Sequence, residues 1–414
     1  MSTNIKTDIA VVGAGIAGIA TAYYLCVQYG RKSVLLIDSR QPMSYTSAQS
    51  GDNYRNWWPH PTMVRFSNLS IDLMEKIRRD TDNAFNMTDR GYVLATRRSN
   101  IDAGTGDVHA THPMLAEGIE NVIHIRRGGD ISGQQLGSHM LGKIRDAGGK
   151  RMTGEVLAIE GEGDFVLEVA SRDGRKTVRS EMLVNAAGPF AGEVAAMLGV
   201  DLPVQNIFQQ KVAFDDVLGA IPRTMPFTID LDELPIDWSE EERQMLLADR
   251  ELSWLAERMP GGVHCRPDGG DKGSWVKLGW AYNTTASEPQ QDLANEPNLD
   301  PSFAEIVIRR ASMMIPALRL YIETPPTRRS HYGGYYTMTD ENWPLIGPLG
   351  PGNAFVVGAL SGFGSMTACA AGSICASWVC GGDLPDYAQD LSLARYDNPE
   401  LMAEITGRAN RGIL

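Results

Sequence analysis

The 414-residue sequence predicts a two-domain α/β fold, α+β in its overall make-up. Three observations predict it. An apolar run near the N-terminus passes into a glycine-rich loop and a helical pattern. Two later apolar runs, Met182–Val184 and Ala354–Val357, also end in small residues. Between residues 132 and 169 a capped helix is followed by a strand with glycine-rich turns on either side.

Composition narrows the function classes. Hydrophobic residues make up 43% and charged residues 21%, the balance of a globular chain. A formal charge of −13 argues against a nucleic-acid partner and against an anionic membrane surface. Cys26, Cys265, Cys369, Cys375 and Cys380 have neither zinc-ligand nor Cys-x-x-Cys spacing, so they read as free thiols of a reducing cytoplasm. Strand character beginning by Asp8 leaves no room for an export leader, and a cytoplasmic location is expected. From Asn342 to Gly382 no side chain is charged, yet Pro344, Pro348, Pro351 and several glycines interrupt the stretch. It reads as a buried strand, a turn and a buried helix, with no membrane span.

The first βαβ unit is Rossmann-type. Ile9–Val12 is a short continuous apolar run, as in a strand buried on both faces. It enters Gly13-Ala14-Gly15-Ile16-Ala17-Gly18 and then a helical apolar face. A second apolar strand, Val34–Ile37, ends on Asp38, followed by Ser39 and Arg40. Gly13 permits the tight turn, Gly15 lets the backbone approach a pyrophosphate, and Gly18 lets helix and strand pack closely. The pyrophosphate would rest on the N–H groups at the helix start. Asp38 is placed to accept from ribose hydroxyls, which disfavours a 2′-phosphate. This unit alone leaves NAD and FAD open.

Three further segments decide for FAD. Ser47-Ala48-Gln49-Ser50-Gly51 is a small polar stretch able to wrap phosphate and flavin with backbone N–H groups. The Met182–Val184 strand ends in Asn185-Ala186-Ala187-Gly188. The Ala354–Val357 strand ends on Gly358 and leads to Gly362-Phe363-Gly364-Ser365-Met366 and a small-residue helix, whose positive end suits a reduced flavin. Val156 completes the expected cofactor contacts.

In order and spacing these segments resemble the D-amino-acid oxidase/sarcosine oxidase superfamily of FAD enzymes over nearly the whole chain. Gly334-Tyr335-Tyr336-Thr337-Met338-Thr339-Asp340…Pro344-Leu345-Ile346-Gly347 is similar to a stretch of the sarcosine- and dimethylglycine-oxidising branch. The resemblance implies a discontinuous FAD domain (1–88, 130–205 and 335–414) threaded with a substrate domain (89–129 and 206–334) on a mainly antiparallel sheet. Ser132-x-x-Gln135 reads as a capping box opening a helix that stops at Gly148-Gly149. Ser239-Glu240-Glu241-Glu242 reads as a second box, opening a solvated helix to about Met259 that looks like an insertion.

The same resemblance implies the chemistry. Lys277, a lysine in the aromatic strand Ser274–Trp280, matches the position over the flavin where the family activates oxygen. Arg55 matches the arginines near flavin and substrate carboxylate. Trp57 and Trp58 could wall an amine, although two neighbours in extended chain cannot face one pocket. Met366, Ala281 and Tyr336 stand where family members carry carboxylate-binding or active-site polar residues. Together with Tyr332, they suggest a larger or more apolar secondary amine. The covalent-attachment cysteine of sarcosine oxidases falls at Gly334, so FAD is expected to be non-covalent, with His60 and His331 as residual attachment candidates. His109-x-x-His112 lacks a third ligand, and no metal site is read.

The expected function is FAD-dependent oxidation of a secondary amine or N-substituted amino acid, with oxygen reoxidising the flavin to give peroxide. Two alternatives remain: a dehydrogenase acting on a 2-hydroxy acid or using a non-oxygen acceptor, and a non-catalytic FAD-binding assembly factor.

Overall fold

The structure is a computed structural model, describing residues 3–99, 108–270, 272–293, 296–350 and 352–407. Two large sheets dominate it. The first has eight strands, with Leu345–Pro348, Ala354–Gly358, Gly174–Asn185, Thr3–Val12, Val34–Asp38 and Lys150–Thr153 side by side. All but the first of these six run parallel. A hairpin of Glu155–Glu160 and Phe165–Ser171 joins antiparallel to Gly174–Asn185.

Alternate residues of the central strands feed two cores. Ile9, Val11, Leu36, Val184 and Val357 face a helical layer of Ile16–Tyr23, Gly133–Asp146 and Gly364–Cys380. Ala10, Val12, Leu35, Ile37, Leu183 and Val356 face the hairpin layer. The segment Ser361–Cys380 is long and apolar enough to cross a membrane by length and composition, but 78% of its apolar window is buried inside the protein. Cys26, Cys265, Cys369 and Cys375 are buried, and all five cysteines are free thiols.

The second sheet has seven strands in the order Arg329–Met338, Gln205–Asp215, Trp275–Trp280, His264–Asp268, Phe227–Asp230, Tyr92–Thr96 and Asn121–Ile125. Every pairing is antiparallel except that of Phe227–Asp230 with Tyr92–Thr96. One face packs on the helix Phe303–Ser312 through Val212, Phe214, Cys265, Val276, Leu278 and Trp280. The opposite face carries the polar residues described below.

Two helices differ from expectation. The Ser239 box forms, with both reciprocal bonds, but its helix covers only Glu240–Ala248. Asp249 leaves the helical conformation and its side chain accepts the Glu251 N–H, turning the chain before a short 3₁₀ turn at Ser253–Ala256. The Ser132 box is half formed. Ser132 Oγ accepts from the Gln135 N–H at 3.3 Å, but the Gln135 side chain accepts from Asn86 instead of closing on the cap.

A buried ion pair pins the second sheet to its helix. Arg310 and Asp230, both fully buried, meet at 2.8 Å, and Arg310 also donates to the Asp232 carbonyl at 2.6 Å. Arg97 reaches Asp230 and Asp232 from the other side at 3.2 and 3.3 Å. Removing Arg310 leaves the fully buried Asp230 carboxylate with the partly exposed Arg97 in place of a buried guanidinium. Arg310→Met is therefore expected to destabilise the protein by about 3–5 kcal/mol in chemical denaturation; a loss below about 1 kcal/mol would contradict this.

Candidate flavin and substrate site

A long cleft runs along the carboxyl ends of the parallel strands, where ligands of open α/β sheets bind. Gly13, Ala14, Gly15, Ile16 and Ala17 line it from the first turn, Asp38 and Arg40 from the second strand, and Ser47 from the wrapping segment. Ala187, Gly188, Gly358 and Gly364 line it from the later strand ends. A recess beside it brings Ser39 and Val156 up to Asp38 and Arg40.

The first turn has no room for side chains. Gly13 holds φ at +110°, and a Cβ there would overlap the Ala186 carbonyl. A Cβ on Gly18 would overlap the Gly13 carbonyl, so the third glycine is a packing residue below the cleft. Asp38 Oδ2 accepts the Ala14 N–H at 2.6 Å and Oδ1 the Arg40 N–H at 2.8 Å. The carboxylate thus braces the turn while keeping lone pairs for a ligand. Ser47 Oγ accepts the Ile16 N–H at 3.0 Å, pinning the wrapping segment to the helix start. Ala48 and Gln49 lie in the same 3₁₀ turn without lining the cleft.

Two features of the cleft point to a bound group. Thr46 Oγ1 is buried there without a hydrogen-bond partner. Ala359 and Ser361 hold φ at +52° and +43°, strained values for residues with side chains. These residues fit FAD: the Gly15 helix start would hold the pyrophosphate, Asp38 the ribose, and the Gly362–Met366 segment would border the flavin. Neither histidine considered for attachment faces the cleft. His60 accepts from the Thr62 N–H and packs on Trp343, while His331 bonds Gln210 and stacks on Phe303.

Beyond the flavin end, a second, small pocket lies between the two halves of the fold. Ser50, Gly51, Gly362, Phe363, Ser365 and Met366 form its floor, and Ser365 Oγ bonds Ser50 Oγ at 2.8 Å. Its other wall holds Arg55, Tyr92, Lys211, Phe227, His264 and Tyr336. Register explains the gathering. Lys211 stands opposite Gly279, which stands opposite His264, and Phe227 stands opposite Tyr92. Lys211, His264, Phe227, Tyr92 and Tyr336 therefore project from one face of the seven-stranded sheet, and Arg55 reaches in from the separate strand Asn53–Arg55.

Arg55 is buried, donates to Tyr92 Oη at 2.6 Å, and lies over the Tyr92 and Trp58 rings. Burial pushes the Tyr92 phenol up to about 12, against the pull of Arg55, so its own proton is available to donate. Lys211 is 5% exposed and donates to Tyr336 Oη at 3.3 Å. No carboxylate of the described residues forms a salt bridge with Lys211. His264 Nδ1 donates to the Gly262 carbonyl at 3.0 Å. Burial pushes the imidazole down to about 3, Lys211 and Arg266 adding to the effect, so the ring is neutral.

Lys277 lies apart from this group. It lines a neighbouring polar cavity with Asp52, Arg90, Asp130, Arg266 and Asp268. Its ammonium pairs with Asp268 at 3.4 Å, and Asp268 pairs with Arg266 at 2.9 Å. Burial, and then the Arg266 charge, lower the Lys277 pKa against the pull of Asp268. Arg266 also donates to the Gly51 carbonyl at 3.1 and 2.9 Å, tying the strand to the wrapping segment. Tyr332, opposite Lys211 in register, does not line the substrate pocket, and burial raises its phenol above the ordinary range. Trp57 packs beside Tyr92 and Phe227, and Trp58 packs edge-on against Phe363. Neither tryptophan lines the pocket.

A cleft for a dinucleotide flavin beside a cation-bearing pocket is the arrangement of a flavin-dependent oxidoreductase. Residues 8–378 match the family model described as FAD dependent oxidoreductase, and the chain belongs to that family. Human mitochondrial dimethylglycine dehydrogenase is 22% identical over 94% of this chain, and the rat enzyme 23% over 62%. The chain spans 44% of the human protein's length. Among solved structures, L-proline dehydrogenase from P. horikoshii is similar with a TM-score of 0.74 at 18% identity, covering 96% of this chain and 99% of that one. Glycine oxidase from Geobacillus kaustophilus is similar with a TM-score of 0.72 at 17% identity, covering 94% and 99%.

Lys211 and His264 escaped the sequence reading. Lys211 carries the signal that drew attention to Lys277, a lysine among apolar strand residues, in Ile207–Phe214. Nothing local marks His264.

Proposed function

We propose that this protein oxidises the C–N bond of an N-substituted amino acid, whose carboxylate rests on Lys211 and Arg55. The observation that carries this is Lys211, a buried ammonium whose hydrogen-bond partner is the Tyr336 phenol. Burying a cation without a counter-ion costs several kcal/mol, an expense that an anionic ligand offsets. Tyr92 and Tyr336 each accept from a cation, which leaves their hydroxyl protons free to donate to the same carboxylate. The positions expected to lack a clamp, Met366 and Ala281, are thereby replaced by cations reaching in from other strands. Dimethylglycine, proline and glycine, after which the similar proteins are named, all join an amine to a carboxylate.

The residues also set the protonation state of the substrate. Arg55 and Lys211 repel an ammonium group and favour the free amine, the form able to release hydride. Phe227, Phe363 and Met366 exclude water around the reacting carbon. Bound FAD supplies the hydride acceptor. Lys211→Met is expected to raise KM for an N-alkyl amino acid about 10- to 100-fold, with flavin content unchanged. An unchanged KM in steady-state turnover would refute the clamp.

A second reading concerns the final electron acceptor. Lys277, the residue expected to activate oxygen, is paired with Asp268, which weakens its field on a developing peroxide charge. This favours an acceptor other than oxygen. Dye reduction is expected to outpace peroxide formation, and Asp268→Asn to raise peroxide formation about tenfold or more by releasing Lys277. Peroxide appearing as fast as reduced dye in the unaltered enzyme would make oxygen the acceptor.

A further inference from the structure

The wall of the substrate pocket formed by the seven-stranded sheet is rich in donors. Lys211, Tyr92 and Tyr336 all have protons to give. His264 is different. Its Nδ1 is committed to the Gly262 carbonyl, so in the neutral ring Nε2 carries a lone pair and no proton. Among the described residues no donor hydrogen-bonds Nε2, and His264 lines the pocket.

The ring is held there by the strand beside it. His264 stands opposite Gly279, and a Cβ on Gly279 would overlap Nε2. The missing side chain lets the imidazole lie over the strand toward Lys211, which stands opposite the same glycine. The acceptor of the sheet wall is thus set toward the ammonium group that we assign to the substrate carboxylate, across the pocket from Asp52 and Asn53 on its floor. In an amino acid the nitrogen is one carbon away from that carboxylate, and the nitrogen proton is what such an acceptor would meet.

We propose that His264 Nε2 accepts a hydrogen bond from the amine N–H of the substrate, making the pocket selective for amino acids that carry an N–H over N,N-dialkylated ones. This rests on the carboxylate reading above. A nitrogen with two alkyl substituents and a free lone pair has no proton to offer, and it leaves a desolvated imidazole lone pair unmatched. A nitrogen with one substituent, open-chain or in a ring, satisfies it and is oriented with its α-carbon fixed between carboxylate and amine contacts.

Two flat carboxylates that differ only in this proton provide the test. Pyrrole-2-carboxylate has a ring N–H, whereas furan-2-carboxylate has an oxygen acceptor in its place. Each is titrated into the FAD-loaded enzyme, and binding is followed by the change in flavin absorbance. The pyrrole is expected to bind about tenfold tighter than the furan, and the preference to vanish in His264→Phe. Gly279→Ala, which displaces the imidazole without removing it, should shrink the preference in the same direction.

Equal affinities in the unaltered enzyme would overturn the assignment. So would a preference that survives both substitutions, which would pass the role to Asn53 or Asp52 on the pocket floor. If neither carboxylate binds, the carboxylate reading fails and this inference fails with it. Binding without preference defeats the inference alone.

Discussion

The site depends on the two-residue alternation of the seven-stranded sheet. Val212, Cys265, Val276, Leu278 and Trp280 must face the Phe303–Ser312 helix to build a core. Once they do, Lys211, His264, Arg266 and Lys277 have no choice but to face the nucleotide-binding half. A slip of one residue in any strand would exchange a buried cation for an aliphatic side chain. The buried Arg310–Asp230 pair works against such a slip, because it ties one helix position to one strand end with a charge that has no other partner of that depth.

The polar face of that sheet is divided into two compartments by the wrapping segment. Arg266 holds the Gly51 carbonyl, and Asp52 beside it borders both the substrate pocket and the cavity of Lys277. On one side are Lys211, Arg55 and His264, arranged as two cations and a neutral acceptor. On the other, Arg266 and Lys277 share Asp268. The two lysines of this polar face therefore differ: among the described residues Lys211 has no carboxylate in salt-bridge contact, whereas Lys277 is paired with Asp268.

How much of this could be read from the sequence followed the range of the interactions. The first βαβ unit was legible because its turn, helix start and acidic strand end lie within about thirty residues and constrain one another locally. The later strand ends Asn185–Gly188 and Gly358 were legible as strand followed by small residues. The substrate pocket was not. Lys211, His264 and Tyr92 come from strands far apart in the chain, and they are brought together by the pairing of Lys211 with Gly279, of Gly279 with His264, of His264 with Ile229 and of Phe227 with Tyr92. The expectation for Lys277 named a functional lysine on the neighbouring strand, yet Asp268, nine residues earlier, sets its electrostatics. The Ser239 helix was overextended because its cap is a strong local signal, while the turn at Asp249 that ends it is a weak one.

The central claim is that the pocket takes a carboxylate and an amine together. Anaerobic flavin bleaching by a set of matched compounds tests it most directly: an N-methyl amino acid, the amine left when its carboxylate is removed, and the 2-hydroxy acid of the same side chain. Rapid bleaching is expected from the amino acid alone among the three. Equal bleaching by the decarboxylated amine, or bleaching by the hydroxy acid with none by the amino acid, would contradict it.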